Sequence, residues 1–357
     1  MTDFPLNDPL AVQRWETSLD YEAEILSYFR KFMGKGPNNM VVIREHLEKA
    51  AGEKITVGLA MKLAGDGIEG DNIIKNTEAE EAITTHNDTL FINQRRKGTK
   101  SKGKMSEQRV PYPMRKLGRD KLAIWESEDI DQQIMMYAAG RVHGGSTLNP
   151  GYHVLTSWAG RANNDLTVPN STHQFYAGSA TGQADLTSAD KLKPKEVEKL
   201  VARAKVTDPM IQPIMHNAAN KFILLMHTFS AFDLRTGYST GDWGDIRKNT
   251  DGKESLIYKD ALGEIGGVIL HEHRGVIRYA GDNVTVGRNL FLGAQAVMIA
   301  YGGGGGQNKY TWFEEYDDRG NALSITVGLI YGVSEITYNS KRFGMFAFDA
   351  ACADPTT

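Results

Sequence analysis

Cysteine is nearly absent from this 357-residue sequence, in which Cys352 stands alone. One cysteine cannot form an internal disulfide, so the chain fits folding in a reducing compartment. Cys352 lies near the C-terminal end of the sequence, and no catalytic signature surrounds it. We interpret it as a small buried apolar residue and not as a nucleophile.

Long hydrophobic runs are also missing. The longest weakly polar run, Phe291–Tyr301, is too short to cross a bilayer and contains Gln295. No basic segment followed by an apolar run opens the sequence, so no signal peptide is predicted. We therefore expect a protein that has no membrane partner and is made in the cytoplasm.

The sequence also lacks an excess of charge of either sign. The 41 lysine and arginine residues nearly balance the 44 aspartate and glutamate residues, and the formal net charge is −3. Bulk charge therefore gives no reason to expect a nucleic-acid binder. The 41% hydrophobic and 24% charged residues are typical of a globular protein. The length allows one large core or two smaller ones.

Enzyme-like motifs are few. On a strand, His271 and His273 would point to one face, as two metal ligands do, but no third ligand follows at a recognisable spacing. The simpler interpretation is a strand end at which Arg274 and Gly275 turn the chain. The glycines at 302–306 lack the Lys-Ser/Thr pair of a phosphate-binding loop, which favours a flexible surface loop. We predict no enzyme, cofactor or metal site, and keep a metalloenzyme using the two histidines as an alternative.

The strongest pattern in the sequence is that of a hairpin. Apolar residues alternate with other residues from Lys54 to Leu63, and this period of two predicts a half-buried strand. A second extended run covers Thr85–Gln94, and the long connection between the two runs is acidic and contains glycine. The connection exceeds a usual hairpin loop, and a two-stranded arm cannot bury itself alone. We expect its partners to be other copies of the same chain.

A long helix is predicted to follow the hairpin. Pro111 and Pro113 open it, and Gly140 ends it. Its apolar residues do not share one narrow stripe, which indicates a helix covered on more than one side; they are Leu117, Leu122, Ile124, Trp125, Ile130 and Ile134. Three tryptophans are interpreted as packing residues, because basic residues do not interleave with them: Trp125, Trp243 and Trp312.

The remaining segments predict an α+β fold, because strands and helices do not alternate as βαβ units. The predicted helices are an amphipathic Asp8–Met33 and a short Pro194–Lys205, and Met40–Leu47 is extended. The predicted strands are Phe222–Met226, Gly267–Leu270 with Val276–Ile277, Tyr310–Tyr316 paired with Ala322–Tyr338, and Phe343–Phe348. Asn289–Tyr301 fits a buried strand or a buried helix, and its alanines and length favour the helix.

Four groups of residues, taken in order, carry a resemblance to a known family. They are Lys54-Ile55-Thr56 with Met61 and Gly65-Asp66-Gly67; Ser101-Lys102-Gly103-Lys104-Met105-Ser106-Glu107-Gln108-Arg109-Val110-Pro111; Gly267-Val268-Ile269-Leu270-His271-Glu272; and Leu292-Gly293-Ala294-Gln295-Ala296. Each group is weak alone, but their order and spacing resemble the major capsid proteins of tailed bacteriophages, typified by the coat protein of N-four-like podophages. The resemblance covers nearly the whole chain and implies a Hong Kong 97-type capsid fold.

The same resemblance implies four parts and a structural function. Residues 1–50 would be an N-terminal arm, 51–105 an E-loop hairpin, 106–215 a P-domain with a spine helix and a loop-rich segment, and 216–357 an A-domain with returning P-domain strands. The chain would self-assemble in the host cytoplasm into hexamers and pentamers of an icosahedral capsid, the shell of the virion, enclosing double-stranded DNA.

Further partners follow from the resemblance. They are a portal protein at one vertex, packaged double-stranded DNA bound without sequence specificity and, as a further candidate, a decoration protein. The sequence begins almost at once with the arm helix, so we expect any scaffolding protein to be a separate chain. A cellular shell of the same fold that encloses an enzyme is kept as a second alternative.

Charge is distributed unevenly along the hairpin. The distal segment, residues 65–81, is acidic through Asp66, Glu69, Asp71, Glu78, Glu80 and Glu81, against Lys75 alone. The basic run, residues 95–104, contains Arg95, Arg96, Lys97, Lys100, Lys102 and Lys104, and Arg109 follows it. The basic run fits a solvated face, a patch that contacts DNA phosphates, or a dock for the distal segment of a neighbouring copy. We prefer the dock, because complementary charge sets the register of a head-to-tail contact.

Overall fold

Two β-sheets and one long helix that contacts both account for most of the architecture. The computed structural model describes residues 27–44, 52–60, 63, 66–75, 80–109, 113–145, 148, 164–216, 219–237, 260–303 and 310–355. The α-helices in these ranges are Lys104–Gln108, Met114–Ala139, Pro194–Ala204 and Thr228–Thr236, and the 3₁₀-helices are Tyr28–Phe32 and Gln183–Asp185. The fold is therefore α+β, as predicted.

The first sheet is built around one long strand, β15. Its six strands within the described ranges are β1 Met33–Gly34, β2 Val41–Arg44, β5 Asn93–Lys100, β13 Val297–Gly302, β14 Tyr310–Asp317 and β15 Ala322–Glu335. The order is β1-β2-β13-β15-β14, and β5 pairs with the opposite edge of β15, since Ile325 is partnered by both Glu314 and Thr99. The predicted antiparallel pair around the turn at 317–321 is confirmed as β14 and β15.

Strands β13 and β14 lie on the same edge of β15. Gly302 at the end of β13 pairs with Ile330, and Tyr310 at the start of β14 pairs with Leu329. The chain therefore leaves this edge at Gly302 and returns to it at the adjacent partner. Most of the intervening segment, residues 304–309, lies outside the described residues and includes most of the glycine run noted in the sequence.

The second sheet contains eight strands in the described part of the chain. They are β6 Gln174–Tyr176, β7 Ile214–His216, β8 Ala219–Met226, β9 Ala261–Ile265, β10 Val268–Glu272, β11 Arg278–Ala280, β12 Thr285–Leu292 and β18 Met345–Ala351. The central order is β6-β18-β12-β8-β10-β9. One face packs against Pro194–Ala204 and Thr228–Thr236 through side chains such as Leu200, Leu234 and Phe291. The predicted strands at Phe222, Gly267 and Phe343 are confirmed in β8, β10 and β18.

The long helix, Met114–Ala139, lies in the larger core. It is buried at every residue from Asp129 to Ala139, whereas Leu117 and Ile124 in its first half are 37% and 39% exposed. Gly140 ends it in the left-handed conformation at φ 62°, where glycine carries no Cβ penalty. The sequence prediction of a helix covered on several sides is thus confirmed for its second half.

The hairpin predicted from the period-two pattern is confirmed. β3, Lys54–Ala60, pairs in antiparallel register with β4, Thr85–Phe91, and forms a separate two-stranded sheet. Ile55 is buried and Val57 half-buried, whereas Lys54, Thr56 and Gly58 are exposed. A second small sheet joins β16, Thr337–Tyr338, to β17, Lys341–Arg342.

The prediction that Asn289–Tyr301 forms a helix is wrong. This stretch contains the end of β12 in the second sheet and most of β13 in the first. Both strands are covered on both faces, so their sequences lose the alternation that identifies a half-buried strand. The break falls at Gly293, where a Cβ would collide with the Gln212 carbonyl oxygen, and at Gln295, which adopts φ 55°.

Three smaller predictions need correction. Residues 8–26 of the predicted N-terminal helix lie outside the described residues, and its C-terminal end is a 3₁₀-helix, Tyr28–Phe32, followed by β1, because the chain is extended at Ser27. Val276–Ile277 is not a strand; both residues are buried in the connection before β11. The strand predicted to run on to Tyr338 stops at Glu335.

Candidate functional site

The basic run is part of the first sheet and not a loop. Residues 93–100 form β5, and the ladder pairs Arg95 with Leu329, Lys97 with Val327 and Lys100 with Ser324. The side chains of a strand alternate between its two faces. The charges of β5 are therefore divided between the face toward the long helix and the opposite, open face.

On the helix face, Arg95 is held inside the chain. Its Nη2 lies 2.6 Å from Oδ1 of Asp129, whose side chain is fully buried in the long helix. The other oxygen of Asp129 accepts hydrogen bonds from Gln133 Nε2 at 2.7 Å and from the Tyr331 hydroxyl at 2.8 Å. Arg95 thus neutralises a buried carboxylate that also joins the helix to β15.

Trp125 lies beside the same cations. The Arg95 guanidinium is 5.3 Å and the Lys97 ammonium 5.6 Å from its ring centroid, within reach of cation–π attraction. Trp125 is half-buried and Trp312 is buried, as expected of packing residues, while Trp243 lies outside the described residues. Basic residues do not interleave with these tryptophans in the sequence, but in the fold β5 brings Arg95 and Lys97 to Trp125 from a distant part of the chain.

On the open face, the charges are more accessible. Lys100 Nζ lies 2.7 Å from Asp317 Oδ2, a partly exposed pair, and this hydrogen bond raises the pKa of Lys100. Arg96 is exposed and its Cγ lies beside Gly328. Lys102 and Lys104 are also exposed, at the start of the helix Lys104–Gln108.

The acidic residues of the distal segment are exposed, and so are apolar side chains in the same part of the hairpin. Asp66, Glu69, Asp71, Glu80 and Glu81 are exposed, and Glu78 lies outside the described residues. Three isoleucines share this part of the hairpin and are 77%, 54% and 67% exposed: Ile73, Ile74 and Ile83. The structure does not bring these acids against the basic run of the same copy, because no ion pair between them occurs among the residues it describes.

The root of the hairpin is fixed to the body by a small separate core. Leu90 and Ile55 pack with Met298, Ala300 and Ile336. Asp88 Oδ2 accepts the Thr337 N–H at 2.8 Å, and the His86 ring packs on Tyr338. Burial is the main cause of the raised pKa of Asp88. The root of the hairpin is therefore fixed to the body by packing and by hydrogen bonds.

The histidine pair predicted as a weak metal candidate lies in an aromatic cluster. His271 packs edge-on against Phe32 with ring centroids 5.2 Å apart, and His273 lies 4.6 Å from Tyr28. Burial lowers the pKa of His273 to about 4, so the ring is neutral near pH 7. No group of three ligand-type side chains is found in the residues described, and Arg274 and Gly275 turn the chain as expected. These contacts favour a packing role for both rings.

The sequence contains two further nucleophile-type candidates, Cys352 and Ser239. Cys352 is buried, and burial raises the pKa of its thiol, which disfavours a reactive thiolate. Its Sγ lies 3.7 Å from His227 Nδ1, but burial lowers the pKa of His227 to about 3, so that ring is neutral and supplies no charge to stabilise a thiolate. The chain contains a Gly-x-Ser-x-Gly pattern at 237–241. It follows the helix Thr228–Thr236, whereas a nucleophile elbow follows a strand and opens a helix. Ser239 itself lies outside the described residues.

Comparison with known proteins finds a family that spans nearly the whole chain. The family described as "Phage capsid protein" matches residues 3–353. The major capsid protein of Pseudomonas phage KPP25 is 26% identical over 348 residues, which cover 89% of this chain and 87% of that protein.

Solved capsid structures are also similar. The capsid of Ralstonia phage GP4 superposes with a TM-score of 0.83 at 30% identity, over 92% of each chain. The capsid of cyanophage Pam1 has a TM-score of 0.71 at 19% identity, over 92% of this chain and 93% of that one, a likeness of fold. Separately, none of the helices in the described ranges is long and apolar enough to span a bilayer.

Proposed function

This chain belongs to the phage capsid protein family, and we propose that its copies are joined where the acidic hairpin of one copy docks on the basic run of the next. The protein is a structural component of the virion and not an enzyme. It is a major capsid protein with the Hong Kong 97-type fold, and its copies build an icosahedral shell from hexamers and pentamers. A head-to-tail contact that repeats around each ring suits such an assembly.

We assign the parts of the chain as the family resemblance implies. Residues 1–50 are the arm, 51–105 the E-loop hairpin, 106–215 the P-domain with its spine helix, and 216–357 the A-domain with strands that return to the P-domain. The sheet order supports a division of residues 216–357, because β13, β14 and β15 belong to the first sheet, whose strand β15 lies along the long helix, whereas β8 to β12 and β18 belong to the second sheet.

The observation that carries the docking proposal is a match between two exposed surfaces of mixed character. On the hairpin, Ile73, Ile74 and Ile83 are exposed among acidic residues. Next to the basic run in the sequence, Met105 is 67% exposed and Arg109 is exposed. In the first half of the long helix, Leu117 and Ile124 are partly exposed, and Lys116 and Lys121 are exposed on the same helix. Contacts of this kind combine an apolar centre, which supplies affinity, with a charged rim, which sets register.

The internal pairs narrow the set of docking cations. Arg95 neutralises Asp129 and is best assigned to the fold. Arg96, Lys97, Lys102 and Lys104 are exposed, and Lys100 can exchange its partly exposed partner Asp317 for an incoming carboxylate. We assign these five cations to the dock, and Glu78, Glu80 and Glu81 to the segment that approaches it.

Charge reversal tests the dock. Substituting Lys100→Glu with Lys102→Glu should block assembly, and adding Glu80→Lys with Glu81→Lys should restore it in part. Lys195→Glu with Lys205→Glu, two exposed lysines near the ends of the helix Pro194–Ala204, is the matched control and should assemble normally. Size-exclusion chromatography followed by negative-stain electron microscopy gives the readout. If the matching reversal restores no assembly at all, the pairing is rejected.

We infer the remaining partners from the same family membership. The shell encloses double-stranded DNA without reading its sequence, a portal occupies one vertex, and a separate scaffolding protein guides closure; a decoration protein is a further candidate. Nuclease-protected DNA in purified particles would distinguish this shell from one that encloses an enzyme. Uniform closed shells formed by this chain expressed alone would remove the need for a scaffold.

A further inference from the structure

The carboxylate of Asp131 gathers three hydrogen-bond donors from one short segment. Asp131 lies in the second half of the long helix and is 4% exposed. Its Oδ1 accepts the Ser27 hydroxyl at 2.7 Å and the Phe29 N–H at 3.3 Å, and its Oδ2 accepts the Tyr28 N–H at 2.7 Å. One side chain of the body therefore holds three successive residues that follow directly on residues 1–26.

These donors stand at the start of the 3₁₀-helix Tyr28–Phe32. The first N–H groups of a helix have no partner within it, and a negative charge is favoured at that end. The helix has no side-chain cap of its own, and Ser27 is extended at φ −67° and ψ 127°. Asp131 thus caps this short helix from a distant element, at the residue where the chain changes direction.

The rest of the short helix is fixed by other contacts. Tyr28 packs on His273, Phe32 packs on His271, and Lys31 Nζ lies 4.3 Å from the Tyr28 ring centroid. Immediately afterwards, Met33 and Gly34 pair with β2. These contacts hold residues 28–34 by rings and by a ladder, whereas the Ser27 side chain is held by Asp131.

We propose that Asp131 is a positioning residue for shell assembly, which fixes the direction in which residues 1–26 leave the body. This inference rests on the proposed assignment of residues 1–50 as the arm, and it takes residues 1–26 as the part of that arm that leaves the body and reaches a neighbouring copy. A fixed exit direction would present the arm to the same place on each neighbour.

The electrostatics favour orientation over stability as the role of Asp131. Burial is the largest cause of its raised pKa of about 6, and Glu128 on the same helix raises that pKa further. The ionised carboxylate is therefore disfavoured by its site, even with three hydrogen bonds. The cost of burying the charge offsets much of what the three hydrogen bonds contribute, so the net stabilisation from Asp131 is small. An uncharged, isosteric replacement should leave the body folded and weaken the hold on Ser27.

The test measures direction and stability separately. Cys352 is fully buried, so spin labels can be placed on cysteines introduced at Thr17, within residues 1–26, and at Glu198, which is exposed on the helix Pro194–Ala204 and lies outside the proposed dock. The distance distribution between the labels is recorded in unassembled subunits carrying Asp131→Asn, Ser27→Ala or both. Asp120→Asn, a partly exposed residue of the long helix paired with Arg119, is the control. Thermal unfolding and electron microscopy of the products complete the set.

We expect Asp131→Asn to shift the distance distribution or broaden it at least twofold, to leave the unfolding midpoint near that of the parent, and to give irregular or open shells. Ser27→Ala should act in the same direction more weakly. The double variant should add little to Asp131→Asn, because both changes act on the same hydrogen bond, which an uncharged acceptor already weakens.

An unchanged distance distribution in Asp131→Asn overturns the proposal, and so do regular closed shells formed despite an altered distribution. If Asp131→Asn fails to fold, Ser27→Ala alone decides, because it removes only a hydroxyl. The charge-reversal pairs of the dock involve neither Ser27 nor Asp131, so the two proposals fail independently.

Discussion

The side-chain amide of Asn164 hydrogen-bonds to both backbone groups of Phe91. Its Oδ1 accepts the Phe91 N–H at 2.9 Å, and its Nδ2 donates to the Phe91 carbonyl at 2.6 Å. Phe91 is the last residue of β4, and only Ile92 separates it from β5. The Asn164 backbone carbonyl in turn accepts the Tyr137 hydroxyl of the long helix at 2.7 Å. The Asn164 side chain therefore makes the two hydrogen bonds that a neighbouring strand would make to Phe91, at the point where the chain passes from the hairpin to the first sheet.

Removing this amide should loosen the root of the hairpin. In Asn164→Ala the two backbone groups of Phe91 lose their partner, which we expect to lower the free energy of unfolding by about 1–3 kcal/mol. Hydrogen exchange of the Phe91 amide should accelerate roughly tenfold more than that of amides in β12. Asn87→Ala, at an exposed position of β4, is the control. An unchanged Phe91 amide would show that β3 alone holds this residue.

The Arg95–Asp129 pair should behave as part of the fold. Arg95→Met leaves the fully buried Asp129 without its cation, and we expect a loss of about 3–5 kcal/mol in the free energy of unfolding. Adding Asp129→Asn should recover part of that loss, because the buried charge is then removed. Lys97→Met, which keeps a side chain beside the same Trp125 ring, should cost less than about 1 kcal/mol. Equal losses in the two single variants, measured by denaturant unfolding, would contradict this assignment.

Gly332 should tolerate no side chain. A Cβ at this position would collide with the Phe91 carbonyl oxygen and approach Ile92, both backbone neighbours that cannot rotate away. Gly332→Ala is expected to destabilise the protein by about 1–3 kcal/mol, as overpacked cores do. Gly58→Ala offers a matched comparison, since a Cβ there meets open space in β3. The thermal midpoint should fall in the first variant and stay within a degree or two in the second; equal midpoints would mean that the root of the hairpin can shift.

Glu335 should make stability depend on pH near neutrality. Burial raises the pKa of the Glu335 carboxyl to about 7, although Arg342, whose Nη2 lies 3.8 Å from Glu335 Oε2, acts to lower it. A group whose pKa is raised in the folded state binds its proton more tightly there, so its contribution is fully present below the unfolded pKa and is lost as pH rises through about 7.

The comparison is with Glu335→Gln. Between pH 8 and pH 5 the parent protein should gain about 2 kcal/mol relative to this variant. Parallel pH profiles for the two proteins would assign the titration to another group.

Local signals predicted the elements that a single stretch of sequence determines. The alternation from Lys54 located β3, and Pro111, Pro113 and Gly140 located the long helix. Asn289–Tyr301 was misassigned because strands covered on both faces carry no alternation.

The site was less predictable than the fold, for a related reason. The pairing of Arg95 with Asp129 and of Ser27 with Asp131 joins residues that are distant in sequence. Acidic residues in a helix are usually taken to face solvent, and only the docking of β5 and of the short helix shows that these two are covered. The basic run carried a composition signal, but its composition did not reveal which of its cations the fold itself uses.

Because β13 and β14 lie on the same edge of β15, the glycine-rich connection between them should tolerate an inserted peptide. Because Gly302 and Tyr310 are held by adjacent residues of one strand, the length of the connection sets the position of neither. Doubling the length of a flexible loop costs only about 0.6 kcal/mol in closure entropy. A peptide tag or epitope spliced between residues 303 and 309 should therefore leave the flanking ladder in register. Every copy in the shell would then carry the inserted peptide, so this connection is a suitable site for displaying many copies of one peptide on a particle.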